Sequence, residues 1–278
     1  MSRALLIALV ALLAAAGAVS ARGASARARE VEENIHSVAL NGDLRAIVWL
    51  PAGYDASRAR YPVVYFLHGL PASATSFRGV GWLEEALDRA GTPAILVAPE
   101  GARVGDTDAE YLDRGPGRNW ESFLTRELPR MVDARYRTIR SRDARALLGL
   151  SAGGYGASIL GLRHRGTFSV VESWSGYFHP TDPTGTVALP LGPGTSVHSY
   201  VQALRDDPRP TFFGFYVGSA DTRFRGENVT LDAELKAAGV PHVFAVYPGG
   251  HTTSLWSAHA VAWLRLALAH LRPAVVDP

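Results

Sequence analysis

In Arg145-Ala146-Leu147-Leu148-Gly149-Leu150-Ser151-Ala152-Gly153-Gly154-Tyr155-Gly156-Ala157, a short apolar run stops at a glycine, a serine follows, and a helix of small residues begins. A continuous apolar run of this length is what a strand buried on both faces requires. Gly149-Leu150-Ser151-Ala152-Gly153 is a G-x-S-x-G pattern, which alone is a weak signal. Placed between a buried strand and a helix it becomes specific, because strand–turn–helix is the frame of a nucleophile elbow. The flanking glycines let a strained turn close, and that turn lifts the serine hydroxyl over the sheet edge.

Outward from this turn, strands and helices alternate. Upstream, Ile35 to Leu50 splits at Asn41-Gly42-Asp43 into a hairpin. Tyr61 to Leu67, Ala94 to Ala98 and Ala144 to Leu150 read as buried strands, with a helix from Trp82 to Ala90 stopped by Gly91. Trp120 to Tyr136 shows a helical stripe with Pro129 inside its pattern. Downstream of the Ala152–Leu162 helix come strands at Phe168–Trp174, Thr211–Val217 and His242–Tyr247. Helices at Val197–Leu204, Asn228–Ala238 and Ser254–Leu271 separate or follow them. Repeated β-α-β units predict one α/β domain: a mostly parallel central sheet, an N-terminal antiparallel hairpin, and helices on both faces. Gly101–Arg118 and Gly176–Thr195 fit no element. Loops of that length are functional or solvated excursions, and after parallel strands both border the crevice at the strand C-termini.

A serine hydroxyl is a poor nucleophile unless a histidine takes its proton and an acid orients that histidine. In the chain order acid then histidine, Asp221 follows the strand ending at Val217 and His251 follows the strand ending at Tyr247. Both therefore fall on the sheet edge that carries Ser151. Glu227, Asp232 and Glu234 are the alternative acids, and Arg223 and Arg225 are placed to pair with Asp221 and make it structural. His259 and His270 lie within the last helix, a poor position for a base. Acyl chemistry also needs donors for an oxyanion. The Ala152 amide is one, and the Leu70 amide in His68-Gly69-Leu70 is the second, with His68 holding the loop. His68-Gly69-Leu70-Pro71 also matches the H-G-x-P of epoxide hydrolases, but those need an aspartate where this chain has Ser151.

Composition bounds the alternatives. The 278 residues are 47% apolar and 19% charged, which excludes a disordered or coiled-coil chain. Basic groups exceed acidic ones by 28 − 26 = 2, which leaves no basic footprint for nucleic acid. Cysteine is absent, which excludes disulfides and thiolate chemistry. Nine histidines show no metal-binding spacing, and no glycine-rich turn carries the Lys-Ser/Thr of a phosphate loop, so neither metal nor cofactor is expected. At the N-terminus Arg3 precedes an uncharged run, Ala4 to Val19, and then Ala24-Ser25-Ala26. This reads as a secretory signal peptide over residues 1–26, cleaved after Ala26 or after Ala21. The run is shorter than the roughly 20 residues a membrane span needs. Residues 27–34 then form a short extension and residues 35–272 the single domain.

Ser151, Asp221 and His251 with the His68-Gly69 loop resemble the α/β-hydrolase superfamily. The closer resemblance is to its esterase D-like group of secreted feruloyl and acetyl esterases and mycolyltransferases. Trp120-Glu121-Ser122-Phe123-Leu124-Thr125-Arg126-Glu127-Leu128-Pro129 is similar to the helix before the elbow strand in the mycolyltransferases, and His251 followed by Trp256 matches their pattern. Trp120 and Trp256 are the candidate substrate-binding residues on that likeness. The chain departs from the mycolyltransferases at Pro71, where they carry an arginine, and in its acid, which in them is a later glutamate. The resemblance implies a secreted serine esterase, monomeric, acting on a small-molecule or glycan-linked ester. Transfer of the acyl group to a sugar or other alcohol is the alternative on the same machinery. A catalytically silent extracellular binding protein is the third.

Overall fold

The computed structural model describes residues 28–70, 73–101, 111–181, 189, 192 and 194–276. The leader expected over residues 1–26, Pro71, and much of the two long loops lie outside these. In chain order the elements are β1 (Arg29–Ser37), β2 (Gly42–Leu50), β3 (Ala59–Arg60), β4 (Val63–Leu67), α1 (Trp82–Ala90), β5 (Ile95–Pro99), α2 (Trp120–Ser122) and α3 (Leu128–Arg135). Then follow β6 (Arg145–Leu150), α4 (Ala152–Arg163), β7 (Val170–Trp174), α5 (Val201–Arg205), β8 (Phe212–Gly218), α6 (Arg225–Ala238), β9 (Val243–Tyr247), α7 (Thr253–Ala269) and β10 (Val275–Val276).

Eight strands form one sheet in the order β1-β2-β5-β4-β6-β7-β8-β9. β1 pairs antiparallel with β2, and β2 antiparallel with β5. From β5 to β9 every pairing is parallel. The α/β architecture with an antiparallel N-terminal hairpin is thus the one the sequence pattern predicts.

The continuous apolar strands are explained by burial on both faces. Along β4, Val63, Tyr65 and Leu67 enter one core while Val64 and Phe66 enter the other. Leu83 and Leu87 of α1 and Leu255, Leu264 and Leu268 of α7 cover the second face. Phe123, Leu128, Ile159, Leu160, Leu231 and Leu235 cover the first. Each such side chain contributes about 1.5–3 kcal/mol on burial, against about 0–1 kcal/mol for an exposed ion pair. The two cores, and not the many surface arginine pairs, therefore hold the sheet.

Two local findings depart from the sequence pattern. β1 begins at Arg29, ahead of the Ile35 start expected for the hairpin. Of its first residues, Arg29-Glu30-Val31-Glu32-Glu33, all but Val31 are charged, as suits an edge strand, so no apolar alternation marked them. The Trp120–Tyr136 stripe is helical but not uniform: Phe123–Glu127 widens to a π turn, with the Leu128 amide donating to the Phe123 carbonyl five residues back. Pro129 follows the π turn directly, inside a helical run that continues unbroken to Arg135.

Glu172 on β7 is fully buried, accepting a hydrogen bond from Trp174 Nε1 at 3.0 Å while its Oε1 has no partner among the described residues. Burial pushes its carboxyl well above the ordinary 4.5, and the same loss of solvent raises the neighbouring Tyr216 hydroxyl. A raised folded pKa means stability that is complete below pH 4.5 and is lost as pH rises towards the folded value. Glu172→Gln, which keeps the shape without the charge, should flatten the fall in melting temperature as pH rises above 4.5. A slope as steep as wild type in that variant, followed by circular dichroism, contradicts the assignment.

Candidate active site

Ser151 occupies the junction of β6 and α4 with φ 52° and ψ −122°, in the left-handed half of backbone space that a non-glycine residue rarely adopts. Its neighbours explain how the turn closes. A Cβ on Gly149 would stand 2.2 Å from the Gly153 carbonyl oxygen, and one on Gly153 would stand 2.1 Å from the carbonyl oxygen of Leu67 on β4. Only glycine fits at either position. The Ser151 amide donates to the Trp174 carbonyl at 3.0 Å, which ties the turn to the end of β7.

Asp221 and His251 reach the same edge from β8 and β9. Their two loops are stitched together where Ser219 N donates to Tyr247 O at 2.7 Å and Ala220 N to Gly249 O at 2.8 Å. His251 Nδ1 lies 2.7 Å from Asp221 Oδ2, and His251 Nε2 lies 2.9 Å from Ser151 Oγ. With the proton on Nδ1 donated to the carboxylate, Nε2 is left to accept from the serine hydroxyl. The Asp221 side chain is 1% exposed, and its Oδ1 accepts from the Arg223 and Phe224 amides at 3.3 Å each. Among the described residues its one ion-pair partner is His251; Arg223 instead lies over the Phe224 ring at 5.1 Å. Phe224 and Trp256 flank the imidazole edge to face, at 5.2 and 5.1 Å between ring centroids.

The loop after β4 packs directly on the serine. A Cβ on Gly69 would stand 2.8 Å from Ser151 Cβ, which brings Leu70 beside the elbow. Ala152, as the first residue of α4, has an amide with no intrahelical acceptor. His68 faces away from this chemistry: its Nδ1 donates to the Gly69 carbonyl at 2.8 Å, and burial lowers its pKa, so it is neutral.

The other candidates are distributed differently. Glu227 bonds His179 Nδ1 and lies 3.4 Å from His198 Nε2, while Glu234 bonds His198 Nδ1 at 2.6 Å. Burial works against charge on His198, but the two glutamates more than offset it and raise its pKa. Asp232 is held by Lys236 at 2.8 Å and His242 at 3.0 Å. All three alternative acids thus serve other partners. His259 stacks on Tyr247 and His270 on Phe212, on the α7 side of the sheet. Trp256 stands against His251, whereas Trp120 is 2% exposed and packs on Phe123 in the core. Phe224, and the histidine pair that occupies Glu227, carried no sequence signal beyond their residue type. Among the described residues no group of three or more histidine and acidic side chains could hold a metal ion.

A mostly parallel sheet with a strained serine after an interior strand defines an α/β-hydrolase fold. Residues 37–265 match the family described as "Putative esterase", and the chain belongs to that family. Among curated relatives, an esterase of Mycobacterium tuberculosis is 28% identical over 235 residues, covering 73% of this chain and 51% of the relative. The S-formylglutathione hydrolase of Rattus norvegicus is 27% identical over 179 residues, 58% of this chain and 62% of that one. The chain therefore spans about half the length of the mycobacterial relative it matches. Among solved structures, a ferulic acid esterase superposes with a TM-score of 0.76 at 25% identity, over 88% of this chain and 99% of its own. An S-formylglutathione hydrolase from Agrobacterium tumefaciens gives 0.71 at 19% identity, over 88% and 97%, a likeness of fold.

Gly153→Ala should destabilise the protein by about 3 kcal/mol, the upper end for forced overpacking, because the Leu67 carbonyl cannot retreat without breaking β4. Gly166→Ala, where a Cβ meets nothing within 4 Å, should stay within about 0.5 kcal/mol of wild type. Urea midpoints for the two variants check this, and equal midpoints contradict it.

Proposed function

We propose that this chain is a secreted serine ester hydrolase, with Ser151 as nucleophile, His251 as general base and acid, and Asp221 as the residue that orients His251. The observation that carries this reading is the unbroken line of hydrogen bonds from Asp221 Oδ2 through His251 to Ser151 Oγ, at 2.7 and 2.9 Å. On that reading His251 Nε2 takes the hydroxyl proton as Ser151 Oγ attacks the ester carbonyl carbon. The carbonyl oxygen becomes an oxyanion that the Leu70 and Ala152 amides receive. Collapse breaks the bond to the alcohol oxygen, which leaves with the proton from His251, and the acyl group stays on Ser151. Water then attacks the acyl-enzyme with His251 again as base, and the acid is released. Imidazolium formed in each step faces the buried Asp221 carboxylate, which stabilises it.

The named relatives supply the first compounds to test: feruloyl esters and the thioester S-formylglutathione. Ser151→Ala should lower kcat on an activated short-chain ester by about 10³ or more with the fold intact. A fluorophosphonate should label Ser151 in the wild type, as peptide mapping would read. Retained turnover in Ser151→Ala, or a label on another residue, contradicts the assignment.

Asp221→Asn should cut kcat by about 10⁴ by favouring the wrong imidazole tautomer, while Glu227→Gln should leave kcat near wild type. The reverse ranking moves the acid to α6. The apolar run Ala4–Val19 and the Ala24-Ser25-Ala26 site support export. Protein recovered from culture supernatant should begin between Arg22 and Arg27 by N-terminal sequencing, and an intact Met1 there contradicts cleavage.

A further inference from the structure

Tyr111 is a buried aromatic residue with φ 58°, a conformation that a bulky side chain rarely adopts. Such backbone persists only where the surroundings over-determine it, and at Tyr111 they touch two parts of the candidate site. Its hydroxyl donates to the carbonyl oxygen of His68, the residue that opens the His68-Gly69-Leu70 loop. Its ring rests on α4 at Gly156, where a Cβ would stand 2.3 Å from Tyr111 Cδ2. The ring also meets the neutral His68 edge to face, at 6.3 Å between centroids. Gly101 makes room for this contact, since a Cβ there would stand 2.4 Å from His68 Nε2 and 2.7 Å from Tyr111 Oη.

Gly156 is one helical turn after Ala152, and His68 is two residues before Leu70. Tyr111 therefore spans the two backbone segments whose amides are the candidate oxyanion donors, touching one through its hydroxyl and the other through its ring. We propose that Tyr111 is a positioning residue of the oxyanion hole, setting the spacing between the Leu70 and Ala152 amides; this rests on the esterase reading above. The donors matter most when charge has developed on the oxygen, so a small error in their spacing falls on the transition state and spares the bound ester.

Tyr111→Phe keeps the ring on Gly156 and removes the hydroxyl that donates to His68. On an activated short-chain ester its kcat should fall about tenfold or more, since misplacement by about 1 Å costs up to about 10²-fold, with KM within about twofold of wild type. Affinity for an alkylboronic acid, which forms a tetrahedral adduct on a serine, should fall by a similar factor. A residue that merely supports the core would lower the melting temperature and leave both ratios alone. Wild-type kcat in Tyr111→Phe overturns the inference, as does a loss confined to KM or unchanged boronate affinity. If Tyr111→Phe does not fold, Gly156→Ser in its place should show the same split by displacing the ring, and wild-type kinetics there overturn the inference. A wild type that neither turns over esters nor reacts with a fluorophosphonate overturns the esterase reading, and this inference with it; an active wild type confines any failure to Tyr111.

Discussion

One contact in the molecule is backbone on backbone and admits no alternative: Gly153, at the start of α4, lies against the Leu67 carbonyl at the end of β4. Gly149 lies in turn against the Gly153 carbonyl. Because no side chain intervenes, α4 can start immediately above the sheet instead of a side-chain layer away. That nearness forces Ser151 into its left-handed backbone and aims it at the loops that follow β8 and β9. It also sets Gly69 on the serine, so the loop after β4 and the elbow share one contact surface. The position of the candidate nucleophile, and of the amides beside it, thus follows from a steric exclusion that any β-carbon would violate.

Around this contact the sheet supplies register. Parallel pairing from β5 to β9 brings successive strand ends to one edge, so residues separated by 100 positions, Ser151 and His251, come within a hydrogen bond. The strands are apolar on both faces because helices cover both, and one consequence is chemical as well as mechanical. Glu172, a carboxyl placed on β7 among Trp174 and Tyr216, has no water to ionise into and is held neutral. The interior of the sheet tolerates a polar group there only in its uncharged form.

The strands, the elbow and the two strand-end residues Asp221 and His251 were legible because each rests on a local pattern: apolar runs, paired glycines, a turn directly after a strand. What was not legible depends on long-range geometry. Strand-end position favours Asp221 over Glu227 in sequence without deciding between them; the difference in the fold is that Glu227 meets His179 and His198, which arrive from the segment after β7. Tyr111 gave no signal because its importance lies in what stands on either side of it. Trp120 looked like Trp256 in sequence, yet one is packed in the core and the other stands against His251. The charged start of β1 was hidden by its edge position, and the helical stripe around Pro129 gave no sign of the π turn that precedes that proline.

β9, which delivers His251, is the last strand of the sheet and among the described residues pairs only with β8, with Val243 and Val246 36% and 39% exposed. Ser151, by contrast, leaves β6 from the interior of the sheet. An edge strand with a thin apolar cover detaches in a partial opening well before the central strands separate. The Ser151–His251 contact and the foldedness of the chain are therefore separate quantities in this molecule. Gentle heat or dilute denaturant should therefore take the imidazole away from the serine while both cores stay closed, and on cooling the margin of the sheet should re-form against a template that never melted.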